Sequence, residues 1–203
     1  MPTDFDLREI NSQFAELNPI QRIATAQELF AGNIVLSTTF GPTAPVMLRL
    51  VTGVAPDIPV INIRHWHETD RTKDLAGHYT ERLQLNLKIY DAPKLLIPED
   101  GTPEFAEFQR RIKVEPFQQM LDDLQPTAYF SGAMSWQTAE RRDMAFVEHR
   151  GSVLVVNPIL DLTKEDVDIF FELTGLPRNN DYFDPAKGVT QKIECRLNTT
   201  DYR

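Results

Sequence analysis

Three short apolar runs, separated by stretches with helical spacing, limit what this chain can fold into. Ile34-Val35-Leu36 has no polar face, Ile58-Pro59-Val60-Ile61-Asn62-Ile63 has almost none, and Leu85-Asn86-Leu87-Lys88-Ile89-Tyr90 follows the same length. The first two suit strands covered on both sides, and the third reads as a further strand. Between the first two, Val46, Leu48, Leu50 and Val51 follow Pro42 as a buried helix closing near Gly53. Between the second and third, residues 70–84 carry Leu75, Tyr79 and Leu83 on one helical face. Strand, helix, strand, helix, strand predicts a parallel sheet with right-handed crossovers.

The flanks extend this pattern. Asn18-Pro19 is a cap and first-turn pair, and Ile20, Ile23, Ala26 and Leu29 continue at helical spacing to Gly32. Helical patterns recur near 103–112 and 115–124, after a loop at 92–103. Thr127-Ala128-Tyr129-Phe130 and Val153-Leu154-Val155-Val156 supply two more strands. Thr163-Lys164-Glu165-Asp166 opens a helix that Gly175 ends before Pro177. The expected fold is α/β: an open, mostly parallel five-stranded sheet flanked by helices, with an irregular C-terminal tail. The expected divisions are a helical segment at 1–32, a ligand-binding α/β domain at 33–177 and a tail at 178–203 lying over the active site.

Open α/β sheets bind ligands at the carboxyl ends of their strands. At the end of the first strand stand Ser37, Thr38, Thr39, Phe40 and Gly41, then Pro42 and Thr43. A loop leaving a parallel strand for a helix offers unpaired N–H groups, and the helix dipole favours negative charge there. The hydroxyls add donors, and Gly41 allows close approach of the backbone to a ligand. Together they describe a phosphate or sulfate cradle, although a capped helix after a polar turn has the same pattern. A Gly-Lys-Ser/Thr P-loop is absent.

The net charge of −9 argues against a general nucleic-acid binder while leaving room for a small anion in a local pocket. MPTDFDLREI has no apolar signal region and no run approaches membrane-spanning length, so a cytoplasmic protein with no membrane contact is expected. One cysteine, Cys195, leaves no internal disulfide and no cysteine cage for a metal within a chain. His65 and His67 lie two apart without a third ligand, so no metal site is expected.

LSTTFGPTAPVMLRLV followed by APDIPVINI resembles the modified phosphate loop and second strand of phosphoadenylyl-sulfate (PAPS) reductases. The resemblance continues through LQLNLKIYDAP, KVEPFQQMLDDLQPTAYFSGAM and VLVVNPILDLTKEDVDIFFELTGLP, and covers most of residues 30–185. It implies the adenine-nucleotide α-hydrolase-like fold, an adenine nucleotide as ligand, and thioredoxin or glutaredoxin as electron donor. A homodimer is left open. The four-cysteine iron–sulfur cluster of the adenylyl-sulfate reductases is beyond a chain with one cysteine, so no bound cofactor is expected.

Three stretches depart from the family pattern. Arg64-His65-Trp66 stands where the family has Asp-Thr-Gly, which reverses the local charge; Arg64 and His65 are therefore candidates to hold an anion or stack on a base. Gly132-Ala133-Met134-Ser135-Trp136-Gln137-Thr138 stands for Gly-Leu-Arg-Arg-Glu-Gln-Ser. Gly132 and Gln137 remain as candidate ligand contacts and both arginines are gone; either the ligand differs or their job moves to Arg141 and Arg142, which read first as solvated helix surface. Finally, ECRLN (194–198) resembles the reactive-cysteine motif Glu-Cys-Gly-Leu-His. On that alignment Cys195 is the nucleophile, with Lys192 and Arg196 stabilising its thiolate. RLNTT (196–200) also fits the family's Thr-rich substrate loop, in which case Cys195 is incidental. Three functions follow: thioredoxin-dependent reduction of PAPS to sulfite and adenosine 3′,5′-bisphosphate, nucleotide binding without reduction, or adenylyl transfer.

Overall fold

The computed structural model describes residues 6–188 and Gln191. The apolar runs become parallel strands β1 (Ile34–Thr38), β2 (Pro59–Arg64) and β3 (Asn86–Asp91), followed by β4 (Ala128–Phe130), β5 (Val147–Arg150) and β6 (Val153–Val156). Their order across the sheet is β3-β2-β1-β4-β6-β5, with only β5 antiparallel to its neighbour. The sheet thus has six strands rather than five. Val147-Glu148-His149-Arg150 escapes detection because it is an edge strand with a single core residue, Val147. Asn11 steadies that strand, donating to the Val147 carbonyl at 2.8 Å and accepting its N–H at 2.9 Å.

Seven α-helices cover the sheet: α1 (Leu7–Ala15), α2 (Pro19–Leu29), α3 (Ala44–Val54), α4 (Asp70–Leu83), α5 (Pro103–Gln109), α6 (Glu115–Leu124) and α7 (Lys164–Thr174). Successive residues of β1 face opposite layers. Ile34 and Leu36 join Phe14, Ile23, Leu48, Tyr79 and Val167 from α1, α2, α3, α4 and α7, whereas Val35 packs with Phe117, Met120 and Leu121 of α6. That explains a strand without a polar side. Burying each large side chain contributes roughly 1.5–3 kcal/mol, so the two layers hold the sheet between them and fix its register.

The helix signals lie where side chains meet backbone. Asn18 accepts from Gln21 N–H while the Gln21 side chain accepts from Asn18 N–H, each at 3.0 Å, and Thr163 with Asp166 repeats the device on α7. Gly175 ends α7 in the left-handed conformation. A π turn, Arg110–Val114, connects α5 to α6 and turns Lys113 into the interior. Arg22 is also buried; it bonds both carboxylate oxygens of Asp161 at 2.6 and 2.8 Å and the carbonyls of Phe14 and Pro158. This ties α1 and α2 to the loop after β6.

Candidate anion-binding cleft

The sheet divides at its centre. β1 pairs with β2 as far as Thr38 opposite Asn62, but with β4 only as far as Leu36 opposite Phe130. Ser131 N–H then bonds the Val156 carbonyl at 2.9 Å, drawing the chain after β4 away from β1. A cleft of about 180 Å³ opens between the two strand ends. It lies where the strand order reverses, the position at which open α/β sheets take their ligands.

One wall of the cleft is the β1–α3 hinge, with Ser37, Thr38, Thr39, Gly41, Pro42 and Thr43. The backbone there is held from both sides. Asn62 Nδ2 donates to the Thr38 carbonyl at 3.2 Å, Phe40 N–H donates to Thr38 Oγ1 at 3.2 Å, and Asn179 Nδ2 donates to the Phe40 carbonyl at 2.9 Å. These contacts hold Phe40 at φ 50°, a left-handed conformation that costs a side-chain-bearing residue about 1–2 kcal/mol. Burial of its ring offsets that cost. The Phe40 side chain therefore belongs to the core and not to the cleft, correcting the expectation that it contacts ligand. Thr43 is the cap residue of α3, yet its hydroxyl makes no capping bond; it accepts instead from Gln137 Nε2 at 3.4 Å.

The second wall comes from the loop after β4, with Ser131, Gly132, Ala133, Gln137 and Arg141. Gly132 acts by what it lacks, since a Cβ there would stand 3.2 Å from Met47 Cγ. Gln137 organises this wall: its Oε1 accepts from Met134 N–H at 3.1 Å and from the Arg141 guanidinium, while Nε2 reaches Thr43. Arg141 stands on a 3-10 turn, Glu140–Asp143, and lines the cleft, which corrects its reading as solvated helix surface. The third wall is the segment after α7, with Tyr182, Asp184 and Lys187. Tyr182 lies against Gly41, where a Cβ would approach its ring at 3.5 Å. Apolar surface comes from Met47, Phe117 and Tyr129, the last two meeting edge to face at 5.0 Å.

The sequence thus locates Ser37, Thr38, Thr39, Gly41, Thr43, Gly132 and Gln137 in one cleft, offers Arg141 only as the less favoured of two readings, and misses Ser131, Tyr182, Asp184 and Lys187. Arg64 and His65 are not brought there. The Arg64 guanidinium, at the end of β2, makes a two-point bond to Asp91 at 2.6 and 2.9 Å and lines a separate hollow with Glu68 and Lys73. His65 turns inward, 4% exposed, and burial followed by the nearby Lys113 ammonium pushes its pKa down to about 3. Nearby, His67 Nε2 donates to the Leu95 carbonyl at 2.8 Å. Lys192, Cys195 and Arg196 lie outside the described residues. Among the described residues no helix is long and apolar enough to cross a membrane, and no three His, Cys, Asp or Glu side chains cluster as metal ligands.

Residues 33–185 match the phosphoadenosine phosphosulfate reductase domain. A phosphoadenosine 5′-phosphosulfate reductase of a Synechococcus strain is 36% identical over 84% of this chain and 78% of its own length. That of Aliivibrio salmonicida is 30% identical over 97% of this chain and 83% of its own. Among solved structures, the phosphate complex of the PAPS reductase from Candida auris superposes with a TM-score of 0.73 at 21% identity, covering 88% of this chain and 90% of that one. An FMN adenylyltransferase from Candida glabrata shares the fold more distantly, with a TM-score of 0.56 at 13% identity over 80% of this chain and 62% of that one. With the domain match spanning most of its length, this chain belongs to the phosphoadenosine phosphosulfate reductase family.

Proposed function

We propose that the chain reduces PAPS to sulfite and adenosine 3′,5′-bisphosphate with thioredoxin or glutaredoxin as electron donor. The observation that carries the reading is the cleft itself: a hydroxyl-lined strand-to-helix hinge faces two cations, Arg141 and Lys187, at the switch point of the sheet. Hydroxyl donors on one side and cations on the other suit a sulfonated phosphate anhydride, and Met47, Phe117 and Tyr129 give apolar surface beside it. Membership of the family supports the chemistry, and Cys195 is the one thiol in the chain able to perform it.

In this reading the Cys195 thiolate attacks the sulfur of PAPS. The S–O bond to the phosphate breaks, adenosine 3′,5′-bisphosphate leaves with that electron pair, and an enzyme S-sulfonate remains. A thiol of the donor then attacks the Cys195 sulfur and expels sulfite, and the donor's second thiol closes its own disulfide and releases the reduced enzyme. Lys192 and Arg196 lower the pKa of Cys195. Arg141 and the hinge hydroxyls hold the phosphate and stabilise charge developing on the leaving oxygen.

Intact mass after incubation with PAPS alone tests this directly. One added sulfonate in the parent, absent from Cys195→Ser together with sulfite release, is the expected result. A protein that binds the nucleotide without forming an adduct is a binding protein in which residues 196–200 form a substrate loop. Adenylyl transfer from ATP would move it to the chemistry named for its FMN adenylyltransferase neighbour.

A further inference from the structure

Behind the third wall of the cleft lies a buried ion pair. Lys113 Nζ stands 3.3 Å from Asp184 Oδ1, with the two side chains 1% and 2% exposed. Among the described residues the ammonium, though fully buried, has this ion-pair contact but no hydrogen-bond partner. A pair this deep gains little net stability over an apolar one, because desolvating both charges costs several kcal/mol each. What the pair does to the cleft is larger. Asp184 is the acidic member of a lining that otherwise presents Arg141 and Lys187. It also shapes the wall, since Oδ1 accepts Ala186 N–H at 3.0 Å, opening the 3-10 turn Pro185–Lys187, and Oδ2 accepts from Tyr182 at 3.3 Å.

Resting on the function proposed above, we infer that Lys113 is a positioning residue that offsets the charge of Asp184, so that this carboxylate can build the wall carrying Lys187 without repelling an anionic substrate. The π turn at 110–114 carries Lys113 into the interior, while its Ile112 packs with Phe105, Phe108 and Ala186 and so anchors the same wall. Gln109, one turn earlier, bonds the Ala186 carbonyl at 2.7 Å and fixes the same segment. Burial alone would raise the Asp184 carboxyl; Lys113 above all, then His65, the Ala186 N–H and Lys187, outweigh it and hold the group below its ordinary range. The other charged or titratable groups around the pair are His65, neutral and buried, Lys187 and Tyr182 on the segment of Asp184, and Glu68, half-buried within electrostatic reach of Lys113.

The test measures binding of adenylyl sulfate, whose charge is constant from mildly acidic to neutral pH, by calorimetry across that range. The parent should bind with little pH dependence. Lys113→Met should bind on the order of tenfold more weakly at neutral pH, the effect of one uncompensated charge near the ligand. It should recover as pH falls, because Asp184 without its partner takes up a proton and loses its charge. Lys113→Met/Asp184→Asn removes both charges and should regain most of the lost affinity without that recovery; any pH dependence due to Glu68 persists in it and is subtracted. If Lys113→Met does not fold, the double variant and Lys113→Arg carry the test, each expected to bind within a few-fold of the parent. A pH-independent loss in Lys113→Met, or a double variant as weak as the single one, overturns the inference. Should the parent bind neither adenylyl sulfate nor PAPS, the proposed function fails, and an NMR titration of the Asp184 carboxyl still reads the pair. An unchanged Asp184 titration in Lys113→Met, or in Lys113→Gln where Met is not tolerated, overturns the inference on its own.

Discussion

β1 and β2 lie side by side and parallel, and each ends in residues suited to hold an anion: Ser37-Thr38-Thr39 on one, Arg64-His65 on the other. Only the first end opens onto the cleft. β2 runs on past β1, which covers it only from Val60 to Asn62, but β3 stays paired with it to the end, where Arg64 lies opposite Asp91. β1 parts from β4 after Leu36, and the space left there becomes the site. Residue type alone nominates both ends; strand order chooses between them. The end of β2 is therefore occupied locally, by the exposed Arg64–Asp91 ion pair and by a buried neutral imidazole whose Nδ1 has no hydrogen-bond partner among the described residues.

The largest test of this contrast puts a carboxylate at the end of β1. Thr39 is half-buried in the cleft wall, and its replacement by aspartate brings a negative charge against the bound anion. Thr39→Asp should weaken binding of adenosine 3′,5′-bisphosphate at least about a hundredfold, roughly the 3 kcal/mol expected for like charges in a partly desolvated site. Circular dichroism and thermal melting should remain close to the parent, since Thr39 makes no core contact. Unchanged affinity would remove the hinge from the binding site.

Arg141 should come next. Arg141→Ala should lower nucleotide affinity by about 1.5–3 kcal/mol, the usual range for hydrogen bonds to a charged group, read by calorimetry. Gln137→Ala should lower it less, because the glutamine acts by holding Arg141 and joining the loop to Thr43. A Gln137 variant weaker than the Arg141 variant would assign the amide a direct ligand contact.

Sequence favours the wrong one of two roles for Arg141 but the right one for Ser37, for a physical reason. The apolar runs, the capping boxes at Asn18 and Thr163 and the glycine ending α7 act through neighbours one or two turns away, so the sheet and its helices could be read in advance. The hinge could be read as well, because a strand, its loop and the next helix are contiguous. Arg141 and Lys187 stand on short 3-10 turns with no periodicity, and they reach the hinge only through the folding of the whole sheet. β5 was missed for a related reason: its partner α1 lies 136 residues away through Asn11. His65 was misjudged because nothing in RHWH tells which side chain turns inward.

That inward turn has a pH signature. In the unfolded chain His65 takes up a proton near pH 6.5, whereas in the folded protein it stays neutral down to about 3. Below 6.5 the unfolded state binds the extra proton, so stability falls as pH falls, by up to about 1.4 kcal/mol per pH unit until the folded-state value is reached. Denaturant unfolding at several pH values should show this acid limb in the parent. His65→Phe should flatten it, while adenosine 3′,5′-bisphosphate affinity at neutral pH changes only modestly. If the limb persists unaltered, the imidazole is not held neutral, and the end of β2 is more open to solvent than its 4% exposure implies.

The smallest expected effect closes the contrast between the two strand ends. Arg64 and Asp91 are 47% and 63% exposed, and an ion pair in that setting contributes about 0–1 kcal/mol despite its two-point geometry. Arg64→Ala should leave nucleotide affinity within about twofold of the parent and shift thermal stability only slightly, because the guanidinium reaches Asp91 and a neighbouring hollow rather than the cleft. Asp91→Ala should behave the same way, and the double variant should show little coupling beyond the pair itself. A loss of tenfold or more in Arg64→Ala, with Asp91→Ala silent, would mean that the arginine leaves its partner when nucleotide binds. The ligand would then extend past β1 to the second strand end, and the gap after Leu36 would be only part of the site.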